Sequence, residues 1–236
     1  MRMVKFILWR TEPGMRIAIS QRVVENEKYV ELRDALAQDW VNWITTVFPN
    51  SAILGVPNLP TNVGIWWQNT APDLLILSGG NNWSEAPTRD KTEKLLVAFA
   101  RESNTPIIGV CRGLQSLNRI FGGKIESSIF DRTGQNHVAH SHNILFSETP
   151  FLEMAGKNLL SVNSFHTQGV MRKGLAPDLR EFATTTEGVV EGLYHPTEAI
   201  VAIQWHPERP GPSADFDQKL TRTLVNQGVF WRKERF

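Results

Sequence analysis

The sequence predicts an α/β fold with a mostly parallel central sheet covered by helices on both faces, and three observations carry that expectation. Through the first half of the chain short apolar runs alternate with amphipathic stretches, as in strand–helix–strand units. The runs Asp73–Ser78 and Pro106–Val110 lack the apolar/polar alternation of a half-exposed strand, which suits strands buried on both faces. The only cysteine in 236 residues, Cys111, directly follows the second of these runs and stands between Gly109 and Gly113 where a helical pattern begins.

Taken in order, Arg16–Gln21 reads as the first strand. A helix follows on which Leu32, Leu36, Trp40, Trp43, Ile44 and Val47 share one apolar face. Ser51–Val56 is a second strand, closed by Pro57 and Pro60, and Thr61–Asn69 is a short helix carrying Trp66 and Trp67. Asp73–Ser78 is a third strand, ending in Gly79-Gly80, and a helix over Asp90–Arg101 leads into Pro106–Val110. After Phe121 the pattern turns β-rich: 124–129, 143–146, 159–164, 180–185, 189–195 and 200–205 are short strand candidates, before a last helix over 215–226. Neither a repeat nor a linker divides the chain, so residues 15–236 are expected to share one core. Residues 1–14 are set aside as an extension or a misassigned start.

Composition narrows the function. A formal charge of +1 and a pI of ≈ 7.9 give no basic field for nucleic acid. Apolar stretches fall short of the roughly 20 residues a membrane span needs. One cysteine excludes an internal disulfide framework, which fits a reducing cytoplasm. Small-molecule chemistry in the cytoplasm is therefore the expectation.

The chemistry centres on Cys111. On a strand-to-helix turn, flanking glycines remove side chains that would clash with strained backbone, and the helix N-terminus favours the thiolate that attacks carbonyls. Near the other end of the chain, Trp205-His206-Pro207-Glu208 offers a base and a carboxylate. In extended backbone, residues two apart face the same side, and Pro207 keeps His206 out of helical conformation. His206 would take the thiol proton and Glu208 would hold the imidazole. Gly80 could present its N–H beside that of Arg112, forming an oxyanion hole. Taken singly, each feature has a plainer explanation: a buried structural cysteine, a polar strand end, a tight turn.

Together, Gly109-Val-Cys-Arg-Gly-Leu-Gln115, Val162-Asn-Ser-Phe-His166, Trp205-His-Pro-Glu-Arg209 and the Gly79-Gly80 loop resemble the class I glutamine amidotransferases, specifically their γ-glutamyl hydrolase branch. The resemblance implies a flavodoxin-like three-layer sandwich with a cysteine nucleophile elbow. It implies a Cys111, His206, Glu208 triad and an oxyanion hole at Gly80 and Arg112. Gln115 matches the position that holds the glutamyl amino-acid end, and His166 is a candidate for the substrate wall. Asn81 departs from the proline that many members carry there, which puts the loop shape in question. Asn136–His142 and Gly192–Pro196 look most like stand-alone members of surface-polysaccharide synthesis, extending to γ-glutamyl-CDP-amidate hydrolases of capsular phosphoramidate pathways.

Three histidines in six residues could also suggest a metal. No carboxylate pair stands near them in the sequence and no second ligand cluster is evident, so no metal and no cofactor are expected. His137 and His142 are read as lining the substrate. Trp40, Trp43, Trp66, Trp67 and Trp83 could stack a nucleobase, but tryptophans at helical spacing are more often core. The expected partner is a small γ-glutamyl substrate, with a nucleotide-linked leaving group as the most specific form. A free-standing hydrolase leads because the sequence lacks an ATP-binding P-loop. A glutaminase component passing ammonia to a synthetase is the alternative, and a non-catalytic binding module the third class.

Overall fold

The computed structural model describes residues 14–26 and 28–232, so the expected extension over 1–14 lies outside them except for Gly14. Five strands run parallel in the order β4 (Ala52–Val56), β1 (Arg16–Ser20), β5 (Leu74–Leu77), β6 (Ile107–Val110) and β12 (Ile200–Ile203). Strand periodicity sorts their side chains into two cores. Ile17, Ile19, Leu74, Ile76, Ile108 and Val201 face helices α1 (Gln38–Val47) and α7 (Ala214–Gln227). Ala18, Leu75, Leu77, Ile107 and Ala202 face α2 (Val63–Thr70), α3 (Pro87–Glu102) and α4 (Arg112–Ile120). Each fully buried Leu or Ile contributes about 1.5–3 kcal/mol, so a strand serving both cores is anchored from two sides.

From β12 the same sheet continues antiparallel through β11 (Val189–Tyr194), β10 (Arg180–Thr184), β7 (Val138–Phe146) and β8 (Leu159–Phe165), with β9 (Val170–Met171) beside β11. Hairpin-like connections suffice for antiparallel strands, whereas each parallel neighbour needs a crossover. The chain therefore joins a helix-covered parallel half to a β-rich half. No helix of the described residues is long and apolar enough to cross a membrane.

Two local expectations are corrected. Residues 22–35 form a hairpin, β2 (Arg22–Glu25) and β3 (Leu32–Ala35), and α1 starts only at Gln38. Leu32 fits the helical spacing of Trp40 and Trp43, yet it is exposed, so the apolar face ends before it. Residues 124–129 are not a strand: Glu126 makes one isolated bridge to Gly169, and Ile129 opens a short helix α5 (Ile129–Thr133) capped by Ser128. A further helix, α6 (Thr149–Ala155), begins with a proline in its first turn, where the missing N–H costs nothing.

Candidate active site

Cys111 sits between β6 and α4 with φ +54°, a left-handed conformation for a non-glycine residue that stores about 1–3 kcal/mol. The surrounding glycines permit that elbow. A Cβ on Gly113 would stand 2.1 Å from the Leu77 carbonyl oxygen, and one on Gly109 would meet the Gly113 backbone at 2.8 Å. Glycine is thus required because the elbow packs closely against β5 and against its own backbone, while the positive φ falls on Cys111 itself.

His206 follows β12, the parallel neighbour of β6, so adjacent strands deliver the thiol and the imidazole to one edge. A Cβ on Gly79 would stand 3.1 Å from His206 Cε1 and 3.6 Å from Cys111 Cβ, which places the two side by side. His206 Nδ1 bonds Glu208 Oε1 at 2.7 Å, while Nε2 is buried without another hydrogen bond among the described residues. Burial opposes a charge on the imidazole, but Cys111 and then Glu208 outweigh it and push its pKa up to about 9.

A residue that motif reading did not assign a role fixes this histidine. Asn163, on β8, accepts from the His206 backbone N–H at 2.9 Å and donates to its carbonyl at 2.9 Å. The pair of bonds clamps the peptide that carries His206. Asn163 lies inside the 162–166 motif, and only the fold shows it reaching His206.

The Gly79-Gly80 loop is held from behind by Arg89, a fully buried side chain of α3. Its guanidinium donates to the carbonyls of Ser78 at 2.7 Å and Gly79 at 3.1 Å, and also to that of Gly80. Because a peptide's C=O and N–H point oppositely, tying the Gly79 carbonyl to Arg89 turns the Gly80 N–H away from Arg89. Asp90 and Glu93 of α3 bind the Arg112 side chain, whose own N–H opens α4, and Glu93 also pairs with Arg89. Burial favours neutral Glu93, yet Arg112 and Arg89 hold its carboxyl down at about 2. This buried ion cluster joins the loop to the elbow, and deleting one partner would strand the other charges.

Asn81 explains the departure from proline. It adopts φ +52°, which proline's ring forbids, and its amide makes two bonds to Val23 of the hairpin, at 2.8 and 2.9 Å. The hairpin overlooked in the sequence thus braces the loop.

A cleft of about 270 Å³ beside Cys111 is lined by Gly80, Arg112, Gln115, Val138, Phe165 and His166, among others. Gln115 donates to the Gln168 carbonyl at 2.9 Å, and His166 Nδ1 bonds the same carbonyl at 2.9 Å. Cys111, Gly80, Arg112, Gln115 and His166 are therefore brought to one place. His137 and His142 are not: they line a separate cleft of about 570 Å³ formed by residues 135–145 and 185–187 with Leu159. Trp83 stacks near the Arg112 guanidinium at 5.8 Å, and Trp40, Trp43 and Trp67 are buried core.

Behind His166 stands a second group. Glu191, fully buried on β11, lies 3.3 Å from His142 Nε2, 3.5 Å from His166 Nε2 and 3.7 Å from His137 Nδ1. Burial, then the neighbouring His166, lowers the His137 pKa to about 4.

Comparison with known proteins bears on the family and the fold. The Peptidase C26 family matches residues 71–208. The chain is 34% identical over 179 residues to the glutamine amidotransferase-like protein YvdE of Lactococcus lactis, covering 66% of this chain and 75% of that one. It is 29% identical over 203 residues to the γ-glutamyl-CDP-amidate hydrolase of Campylobacter jejuni, covering 83% and 90%. Among solved structures, the glutaminase domain of CTPS from Trypanosoma brucei superposes with a TM-score of 0.65 at 17% identity, over 89% of this chain and 93% of that one. The last likeness concerns the fold, a flavodoxin-like sandwich.

Proposed function

Since the chain belongs to the Peptidase C26 family of glutamine amidotransferase-like hydrolases, we propose that it cleaves a γ-glutamyl amide through a Cys111 thioester and releases glutamate and an amine-bearing product. The observation that carries this reading is the convergence of Cys111, His206 and Glu208 at the edge of β6 and β12, beside a cleft that reaches Gly80 and Gln115.

In the first half-reaction His206 takes the proton of the Cys111 thiol, and the sulfur attacks the γ-glutamyl carbonyl carbon. The N–H groups of Gly80 and Arg112 receive the oxyanion. His206 then gives its proton to the leaving nitrogen, the C–N bond breaks, and the acyl group remains on sulfur. Water attacks the thioester with His206 as base, the C–S bond breaks, and glutamate and the thiol are restored. Glu208 stabilises the imidazolium in both halves without taking its proton. Gln115 orients the glutamyl end.

The similarity to a γ-glutamyl-CDP-amidate hydrolase, together with the resemblance of 136–142 and 192–196, supports a nucleotide-linked phosphoramidate as the leaving group and a place in capsular polysaccharide synthesis. The test compares kcat/KM of the purified chain for glutamine, simple γ-glutamyl amines and γ-glutamyl-CDP-amidate. The expected result is strong preference for the CDP-amidate conjugate, with truncation of the leaving group lowering kcat as well as affinity. Equal values for all three, or glutaminase activity that rises on adding a synthetase, would replace this reading with an ammonia-donating component of a larger enzyme.

A further inference from the structure

The four side chains behind the catalytic cleft come from separate parts of the antiparallel half. His142 lies on β7, His137 just before it, His166 just after β8, and Glu191 on β11. Five residues apart, His137 and His142 would point to opposite faces of a regular strand. The register of β7 against β8 slips between Val138 and His140, where Ala139 takes φ +56°, and this bulge turns both histidines to one side. His140, within the same run, remains exposed.

The hydrogen bonds present leave this group incomplete. The Gln168 carbonyl can only accept, so His166 carries its proton on Nδ1 and presents the Nε2 lone pair inward in its neutral form. That nitrogen is 3.3 Å from His137 Nδ1. Neither oxygen of Glu191 and neither ring nitrogen of His142 has a hydrogen-bond partner among the described residues, although Glu191 is fully buried. A buried carboxylate with no donor is costly, and protein interiors rarely leave one so.

The spacing says what is missing. Around Glu191 Oε1 the separations are 3.3, 3.5 and 3.7 Å, and His137 to His166 is 3.3 Å. Four ligands at the usual zinc–nitrogen and zinc–oxygen lengths, arranged tetrahedrally, stand about 3.3–3.4 Å apart. His166 also has the outer bond expected of a metal-bound imidazole, from its second ring nitrogen to a backbone carbonyl.

The geometry points to a transition-metal site, of the class that takes Zn(II), formed by His137 Nδ1, His166 Nε2 and Glu191 Oε1, whose ligand atoms lie within 4.8 Å of one another, with His142 Nε2, 3.3 Å from Glu191 Oε1, closing on the ion as the fourth ligand. Three neutral imidazoles and one carboxylate suit zinc and its neighbours better than magnesium or calcium, which prefer all-oxygen shells. His142 is partly open to the 570 Å³ cleft, which gives an ion a way in. The site has four protein ligands, so its role is structural. It ties β7, the end of β8 and β11 together, and through His166, the Gln168 carbonyl and Gln115 it sets one wall of the catalytic cleft. The sequence alone argues against a metal because no carboxylate pair lies near the histidines and no second ligand cluster is evident; Glu191 supplies the carboxylate from the other side of β10.

The test uses full-length Cys111→Ala protein stripped with a chelator, since this change removes the one thiolate that could bind zinc elsewhere. Titration with zinc chloride against a chromophoric chelator should give one ion per chain and a higher Tm, and cobalt chloride should give the visible absorption of a tetrahedral N/O complex. Glu191→Gln and His142→Ala should each weaken zinc binding by at least about 100-fold, more than loss of an outer-shell partner, whereas His140→Ala should leave it unchanged. His142 is partly exposed, so its variant stays informative if Glu191→Gln fails to fold. Absence of stoichiometric zinc with no change in Tm, or undiminished binding by His142→Ala, would overturn the site. Neither result bears on hydrolysis by Cys111.

Discussion

Two acid–histidine groups lie on one sheet, and they use the same residue types for opposite ends. At the edge of the parallel half, one carboxylate meets one imidazole at 2.7 Å, and the imidazole's proton affinity rises. In the antiparallel half, one carboxylate oxygen faces three imidazoles at 3.3–3.7 Å with no hydrogen bond to any of them. A pair joined by one directed bond tunes a proton. A convergence of acceptors around one point suits a cation instead. The difference comes from strand pattern: parallel β6 and β12 bring two loops to one edge, whereas antiparallel β7, β8 and β11 let side chains from three strands meet over one face.

The largest expected effect separates the two groups outright. Cys111→Ala should lower turnover by at least about 10⁴-fold and His206→Ala nearly as much, since nucleophile and base act as a unit. Glu208→Gln should retain more activity because it disturbs only orientation and charge stabilisation. Steady-state kinetics on a γ-glutamyl substrate checks the series. If His206→Ala stayed near wild type while His166→Ala were inactive, the base would belong to the second group and the comparison would collapse.

A smaller effect tests how β8 serves both groups, since it carries Asn163 and leads into His166. Asn163→Ala removes both bonds to the His206 backbone and leaves a buried N–H unpaired, at a cost of about 1–3 kcal/mol. Chemical denaturation should show that loss, and kcat should fall while KM changes little. Unchanged kcat at reduced stability would show that the clamp supports the fold without positioning the base.

The smallest effect is the pH dependence of stability. His206 binds its proton more tightly folded than unfolded, so its contribution is complete below about pH 6.5, the unfolded value. It is lost as pH rises through the folded value of about 9. Because Cys111 is the leading cause of the raised value, Cys111→Ala should flatten this part of the curve. Thermal unfolding of both proteins from pH 6 to 10 measures the difference, and parallel curves would contradict the coupling.

Much of this was present in the sequence by itself. The alternation of apolar runs and amphipathic helices determined the α/β class, and Gly109-Val-Cys-Arg-Gly113 determined the elbow, because both depend on backbone conformation within a few residues. Even the plain reading of Trp40, Trp43 and Trp67 as core followed from spacing. Only the tertiary structure decided what distant residues do. Asn163 reaches His206, Arg89 holds the Gly79-Gly80 loop, Asn81 pins that loop to a hairpin that the spacing of Leu32 disguised as helix, and Glu191 meets His137 and His142. Such meetings depend on strand order and on a one-residue bulge at Ala139, and a register shift of that size reverses which face a side chain occupies. Local pattern carries no record of that register, because it is set by the packing of the whole sheet.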